Sequence, residues 1–344
     1  MIQTPSLVRS PLFVAGCTLG ALIIPWAVLH AATAIHQRVT ADPQGSVEIV
    51  DVAGSISLSG WDRPEIEVTG TTGNSVDRVD VSANGSHASV TVVSRSGLSV
   101  GDGHEANLVI HVPVNSAITA TLVSADLKVG NLRGDVTLQT VSGDIGGEVE
   151  GNLHARTVSG SVRLAAPHAH QIEVRTVTGD MEITGGGGGE VEFTSISGDL
   201  KAELGTVARA RFKTVSGVLT AGFALAADGQ VEGESVSGNL TLNFAGAPAA
   251  DFDVQTLSGG ISNCFGPKPQ ETRYGPGSRL EFKNGDGHAR VHIETKSGDV
   301  RLCASETRAG HTAALGDGSC PGAPAPGGAD LVAYRRDRPI FPLL

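Results

Sequence analysis

Aromatic rings are scarce in this sequence: nine Phe, two Trp and two Tyr among 344 residues. Sugar binders and polysaccharide enzymes rely on aromatic platforms, so little is present with which to grip a glycan ring. Four cysteines are too few for a disulfide scaffold. Charged residues make up 18%, below the roughly 25% of an ordinary soluble domain. They are unbalanced, 25 Lys and Arg against 36 Asp and Glu for a formal charge of −11. Without a basic surplus to displace counterions, a general nucleic-acid binder is excluded. The motifs G-x-S-x-G, H-E-x-x-H and C-x-x-C are missing. Glycine, by contrast, is abundant at 46 residues, but it lacks the three-residue period of collagen. A hydrophobic share of 40% is too high for a disordered chain.

The glycines belong to a repeat. Val141-Ser142-Gly143, Val158-Ser159-Gly160, Val177-Thr178-Gly179, Ile196-Ser197-Gly198, Val215-Ser216-Gly217, Val236-Ser237-Gly238, Leu257-Ser258-Gly259 and Lys296-Ser297-Gly298 share one pattern. Their glycines are 17, 19, 19, 19, 21, 21 and 39 residues apart. Val123-Ser124-Ala125 is a degenerate copy one period upstream. Seven and five residues before each glycine the chain is mostly apolar (Val136 and Leu138, Ile172 and Val174), with a polar residue between. Two residues after the glycine it is apolar again (Ile145, Val162, Met181, Leu200). Alternation of this kind marks half-buried strands. Each repeat therefore reads as strand, tight corner, strand, loop.

A repeat of about 19 residues cannot bury its own apolar face, so successive repeats must stack. The expected fold is all-β, a parallel β-solenoid of about ten coils and roughly 50 Å at a strand spacing of ~4.8 Å. Phe193 and Phe212 share a register, as do Phe244 and Phe265, and aromatic stacks are expected inside the coil. Gly143, Gly160, Gly179, Gly198, Gly217, Gly238, Gly259 and Gly298 are the structural residues, suited to corners because glycine takes φ > 0 at low cost. The Thr or Ser three residues before each glycine, Thr140 to Thr295, can bond backbone groups freed at the corner.

Candidate chemistry is thin. Asp144, Asp180, Asp199 and Asp299 follow their glycines and read as turn residues. Glu173 and Glu192 are in register, but stacked like charges read as a solvated face. His168 and His170 lack an adjacent Cys or acidic ligand and read as a surface loop. Gly185 to Gly189 lacks the Lys-Ser/Thr pair of a phosphate cradle. No catalytic, metal-binding or cofactor-binding residue is expected.

The ends differ from the repeat. One charge (Arg9), an apolar run from Leu12 to Leu29 and the small residues Ala32-Thr33-Ala34 read as a secretory signal peptide over residues 1–34. Left uncleaved, the same run would anchor the chain in a membrane. Val14-Ala15-Gly16-Cys17 resembles a lipobox, yet most of the apolar stretch follows the cysteine rather than preceding it. Residues 35–45 read as a polar lead. Residues 46–130 read as an N-terminal β section with the first coils, including a hairpin at Asn84-Gly85. Residues 131–303 read as the regular solenoid, with a hairpin insertion near residues 266–290 around Asn284-Gly285-Asp286-Gly287. Residues 304–344 read as a disordered Gly/Pro-rich tail. Cys264 and Cys303 each lie five residues after their glycine, so they share a face in adjacent coils, at a Cα separation near 5 Å that suits a disulfide. Cys320 is left over.

Val52-Ala53-Gly54-Ser55-Ile56-Ser57-Leu58-Ser59-Gly60-Trp61-Asp62-Arg63-Pro64-Glu65-Ile66-Glu67-Val68, the repeated Val-Ser-Gly-Asp and the closing Thr295-Lys296-Ser297-Gly298-Asp299-Val300 resemble the bacterial DUF4097 family. The resemblance covers roughly residues 45 to 303 and implies an exported β-strand-repeat protein of the adhesin type, without catalytic residues. Lys296 departs from the apolar residue of the other copies and is expected to mark the end of a buried column. A non-enzymatic adhesion or scaffold module of the periplasm, outer membrane or cell surface follows, with an envelope protein or a surface glycan as its partner and no nucleic acid. An envelope-stress regulator and a polysaccharide-active β-helix enzyme are the alternatives.

Overall fold

A computed structural model describes residues 33–94, 105–271 and 276–305. Apart from Thr33 and Ala34, the segment expected to be a signal peptide lies outside these residues, as do Cys17, Cys320 and the residues beyond Ser305. The chain opens with β1 (Thr33–Thr40), β2 (Ser46–Trp61), β3 (Glu65–Thr72), β4 (Val76–Asn84), β5 (His87–Ser94), β6 (Ala106–Pro113) and β7 (Ala117–Gly130). The regular repeat supplies β8 (Val136–Ser142), β9 (Ile145–Glu148), β10 (Leu153–Ser159), β11 (Val162–Ala166), β12 (Gln171–Thr178), β13 (Met181–Gly185), β14 (Gly189–Ser197) and the long β15 (Leu200–Ala245). Last come β16 (Ala250–Ser258), β17 (Ile261–Asn263), β18 (Gln270–Glu271), β19 (Ser278–Asn284), β20 (Ala289–Ser297) and β21 (Val300–Ser305).

The coils form the expected parallel β-solenoid. Strands before the corner glycines pair in parallel from β7 through β8, β10, β12 and β14 to β15, making a first face. Strands after the glycines pair from β7 through β9, β11 and β13 to β15, making a second face. Register is kept from coil to coil, so Val136, Leu153, Ile172, Val191 and Ala210 form one column. Each of these is at most 4% exposed, which places the core between the two faces. A one-residue slip would turn every such column outward.

The corners require glycine. At Gly160, Gly179, Gly198, Gly217, Gly238, Gly298 and Gly259, an added Cβ would stand 2.1–2.4 Å from the carbonyl oxygen of the corner glycine stacked against it. Gly198 also has φ of 132°, where an L side chain is strained. Gly238 and Gly259 lack a strained φ, so close approach alone requires glycine there. The amides of Gly160 and Gly179 donate to the carbonyls of Thr178 and Ser197, both at 3.2 Å, so the ladder continues around the corner.

Coil order departs from chain order at both ends. β2 lies between the β5 and β6 coil on one side and β7 on the other. β20 and β21 lie between β15 and the β16 and β17 coil. The Gly298 coil is thus inserted between those of Gly238 and Gly259, where sequential stacking would have made the last two neighbours. Segments 279–283 and 289–293 do not form the expected hairpin: β19 pairs antiparallel with one edge of β16, and β20 pairs parallel with the other. The intervening turn crosses the start of β16, where Gly287 packs on Ala249 and Asn284 donates to the Pro248 carbonyl at 2.8 Å. Antiparallel strands close the stack: β4 on β5 through the Asn84-Gly85 hairpin, β3 on β6, β1 on β3 and β19 on β16. Such pairing covers edges that would otherwise recruit further chains. The polar lead of residues 35–45 is largely strand, because β1 pairs along β3 from Thr33 to Thr40. β21 likewise runs two residues into the segment expected to be disordered.

Phenylalanines fill the C-terminal half of the core. Phe193 stacks on Phe212 at 5.9 Å, and contacts continue through Phe223 and Phe244 to Phe252 and Phe282. Phe244 and Phe265 meet at 6.1 Å although the inserted coil separates them, because that coil offers only Ala304 opposite Phe244. A disulfide joins Cys264 to Cys303, with Cα atoms 4.8 Å apart, and ties the outermost coil to the inserted one.

Gly198→Ala should destabilise the chain by about 3 kcal/mol or more through backbone overlap and strained φ. Gly187→Ala, where nothing lies within 4 Å, should change stability by less than ~0.5 kcal/mol. Urea unfolding of both variants checks this. Replacing Cys264 and Cys303 by Ser should cost up to about 4 kcal/mol, the loop-closure value for their 39-residue separation, and an unchanged melting temperature would count against that role.

Candidate functional site: an exposed aliphatic corner

The residue two before each corner glycine is on the surface. Val141, Val158, Val177, Ile196, Val215 and Val236 are 38–50% exposed, and Leu257 is 72% exposed. Here the chain turns, so two successive side chains, aliphatic then Ser or Thr, both face solvent while the preceding Thr or Ser is buried. The expectation of a buried column ending at Lys296 is therefore corrected. The column is outside, and Lys296 sits within the stack between Val236 and Leu257. At ~4.8 Å per coil, Val141 to Val236 span about 24 Å. A contiguous apolar stripe rimmed by polar residues marks an interaction surface.

Each rim has its own chemistry. On the second-face side, the aspartates after the glycines serve the backbone: the Ser161 amide donates to Asp144 at 2.8 Å, Asp199 to Asp180 at 3.0 Å and Val218 to Asp199 at 2.8 Å. The Gly260 amide donates to Asp299 at 2.8 Å, and the Asp299 amide to Asn239 at 2.9 Å, tracing the inserted coil. These carboxylates brace the corner, as turn chemistry predicts. On the first-face side lie Arg156, Arg175 and Lys213, with Glu234 and Glu294 in the same column and Glu234 paired to Lys213 at 3.1 Å. The buried hydroxyls divide: Thr140, Thr214 and Ser235 donate to nearby corner carbonyls, whereas the described residues offer no partner to Thr157, Thr176, Ser195 or Thr295.

The first face carries an interlocked charge grid. Arg156 donates to Glu173 at 3.1 Å, Arg175 to Glu192 at 2.9 Å and Arg211 to Glu232 at 2.9 Å, while Arg209 pairs with Glu190. Glu173, Glu190, Glu192, Arg209, Arg211 and Glu232 line a shallow groove of about 350 Å³. Burial pushes the Glu173 carboxyl up, but the Arg156 hydrogen bond, the Arg175 charge and His154 outweigh it and hold it below the usual carboxylate range. A glycosidase acid needs the opposite shift. His168 and His170 are exposed beside buried Ala169, and among the described residues no cluster of His, Cys, Asp or Glu is arranged to hold a metal. The Trp61 ring stacks on His111 at 5.0 Å, carries the Arg63 guanidinium at 4.9 Å and donates to the Glu65 carbonyl, so its ring is engaged within the protein.

One buried carboxyl escapes sequence reasoning. Asp51 stands three residues before Gly54, where the regular coils carry Thr or Ser, and is 1% exposed. Burial pushes it up to about 7, against amides of Val52 and Ala53 that favour the charged form. Its place in a degenerate coil hid it, since the repeat alignment begins downstream.

The Toastrack DUF4097 family model matches residues 46–303. No curated protein matches the chain. Similar solved structures include a candidate adhesin from Bacteroides fragilis NCTC 9343, at 9% identity and TM-score 0.39 over 79% of this chain and 98% of that one. Another is a candidate adhesin from Parabacteroides distasonis ATCC 8503, at 13% identity and TM-score 0.30 over 79% and 98%. A third, a candidate lipid-binding protein from the same organism, has 10% identity and TM-score 0.34 over 78% and 96%.

The raised Asp51 pKa has a definite sign. Between the unfolded value near 3.8 and the folded value near 7, the native state binds the extra proton, so stability falls as pH rises through this window. The difference between those two values corresponds to ~4 kcal/mol at most. Asp51→Asn should remove that part of the slope, read as the difference in urea midpoints between pH 5 and pH 8. Equal slopes for both proteins would contradict the assignment.

Proposed function

The chain belongs to the Toastrack DUF4097 family, and from that premise we propose that it is an exported, non-enzymatic β-solenoid serving as an adhesion or scaffold module of the bacterial cell envelope. The observation that carries this reading is the aliphatic corner, presented in the same register by six consecutive coils from Val141 to Val236. Apolar side chains left this exposed to water add little to the fold, whereas they suit a macromolecular contact. Repetition multiplies weak contacts into avidity. The signal-peptide pattern and the Cys264–Cys303 disulfide support an oxidising, exported setting. The charge grid supports a binding rather than a hydrolytic surface, since its carboxylates are neutralised by arginines.

A deletion strain should lose surface attachment or envelope integrity, recover with the wild-type gene and fail to recover with an Ile196→Asp, Val215→Asp double variant. Both side chains are exposed, so the variant should fold, checked by its melting temperature. Full complementation by the variant would contradict the reading.

A further inference from the structure

We propose that the partner of the aliphatic corner is the same corner of a second copy of this chain, with the two solenoids side by side and pointing the same way. The inference rests on the reading of that corner as a contact surface and names what it contacts.

Periodicity is the first argument. The stripe repeats every ~4.8 Å, the spacing of stacked strands. Along an extended peptide, side chains on one face recur at about 6.8 Å, and along a helix turns recur at about 5.4 Å, so both drift out of phase within a few coils. A second solenoid stays in phase throughout, and a second copy brings the same aliphatic residue at every level.

Charge is the second. The chain carries −11, and self-association of an acidic protein needs a face where like charges do not meet. Among the regular coils, the aliphatic position and the Ser or Thr beside it are charge-free except at Lys296. The rims then choose the orientation. The second-face rim carries Asp144, Asp180 and Asp199, whereas the first-face rim is mixed, with Arg156, Arg175 and Lys213 each paired to a glutamate of the same chain and Glu234 and Glu294 in the same column. A two-fold axis parallel to the stripe keeps the two aspartate rims apart and sets Asp180 level with the partner's Arg175. An axis across the stripe would set the aspartate rim against its own copy. Rim charges add little affinity but fix orientation.

The footprint sets the strength. A stripe about 24 Å long and one corner wide falls below the ~800 Å² per partner of a standard interface. The pair is accordingly weak in dilute solution and is favoured where copies are concentrated on one surface.

Sedimentation equilibrium of the signal-free chain, from about 5 µM to about 0.5 mM, tests the pairing in a range suited to an interface of this size. A reversible dimer is expected, with Ile196→Asp raising its dissociation constant on the order of tenfold or more and Val177→Thr, nearly isosteric, raising it less. A monomer throughout overturns the proposal. Orientation is read by a short bismaleimide on full-length chains carrying Cys17→Ser and Cys320→Ser with one added cysteine. Covalent dimers from each of Val158→Cys, Ile196→Cys and Val236→Cys support the parallel pair, whereas dimers from Ile196→Cys alone overturn it. A wild-type chain that sediments as a monomer, while its Ile196→Asp variant loses envelope attachment, would overturn self-pairing and leave the contact reading standing. A dimer whose disruption leaves attachment intact would do the reverse.

Discussion

Each corner glycine rests on the carbonyl oxygen of the corner stacked against it. With an added Cβ only 2.1–2.4 Å from that oxygen, the contact admits one residue type, and the rest of the solenoid depends on it. A side chain there would force neighbouring coils apart at the point where both faces begin. With glycine in place, the amides of Gly143, Gly160, Gly179 and Gly298 still reach a carbonyl in the adjacent coil, and the Gly238 amide donates to the Ser235 hydroxyl instead, so these corner amides stay paired.

Strict stacking gives every position one environment for the length of the repeat. Columns such as Val136 to Ala210 are buried in coil after coil, and the rings from Phe193 to Phe282 widen the core toward the C-terminal end. Each fully buried apolar side chain contributes about 1.5–3 kcal/mol. A surface ion pair contributes ~0–1 kcal/mol, so the charge grid does little to hold the fold. Its effect is on what the surface can meet. Among the described residues, the aliphatic corner is a repeated column that is both apolar and outside, and for that reason it carries the functional reading.

Much of this was legible in the sequence. A period of 17 to 21 residues, alternating apolar positions and a fixed Ser-Gly corner specify stacked strands, because no single coil can bury its own face. Equal offsets placed Cys264 beside Cys303, and Asp after Ser-Gly read as a turn residue, whereas its bond to an amide of the next coil emerged only from the structure. Coil order was not legible. Spacing says that coils stack but not which neighbours which, so the insertion of the Gly298 coil between those of Gly238 and Gly259 became visible only through strand pairing. The outward turn of Val141 and its equivalents was hidden as well, since alternation predicts faces within strands and fails where the backbone bends. Asp51 stayed invisible because its coil is degenerate. With β2 and β21 each one coil in from an end of the stack, neither edge of the family region can unzip first.

Native-state hydrogen exchange at the corner amides tests the central claim most directly. If the corners continue the ladder, the amides of Gly160 and Gly179 will exchange as slowly as their neighbours in β10 and β12, through global unfolding. Exchange of those glycines at the rate of exposed loops, with the strands still protected, would show the corners to be ordinary turns and contradict the account.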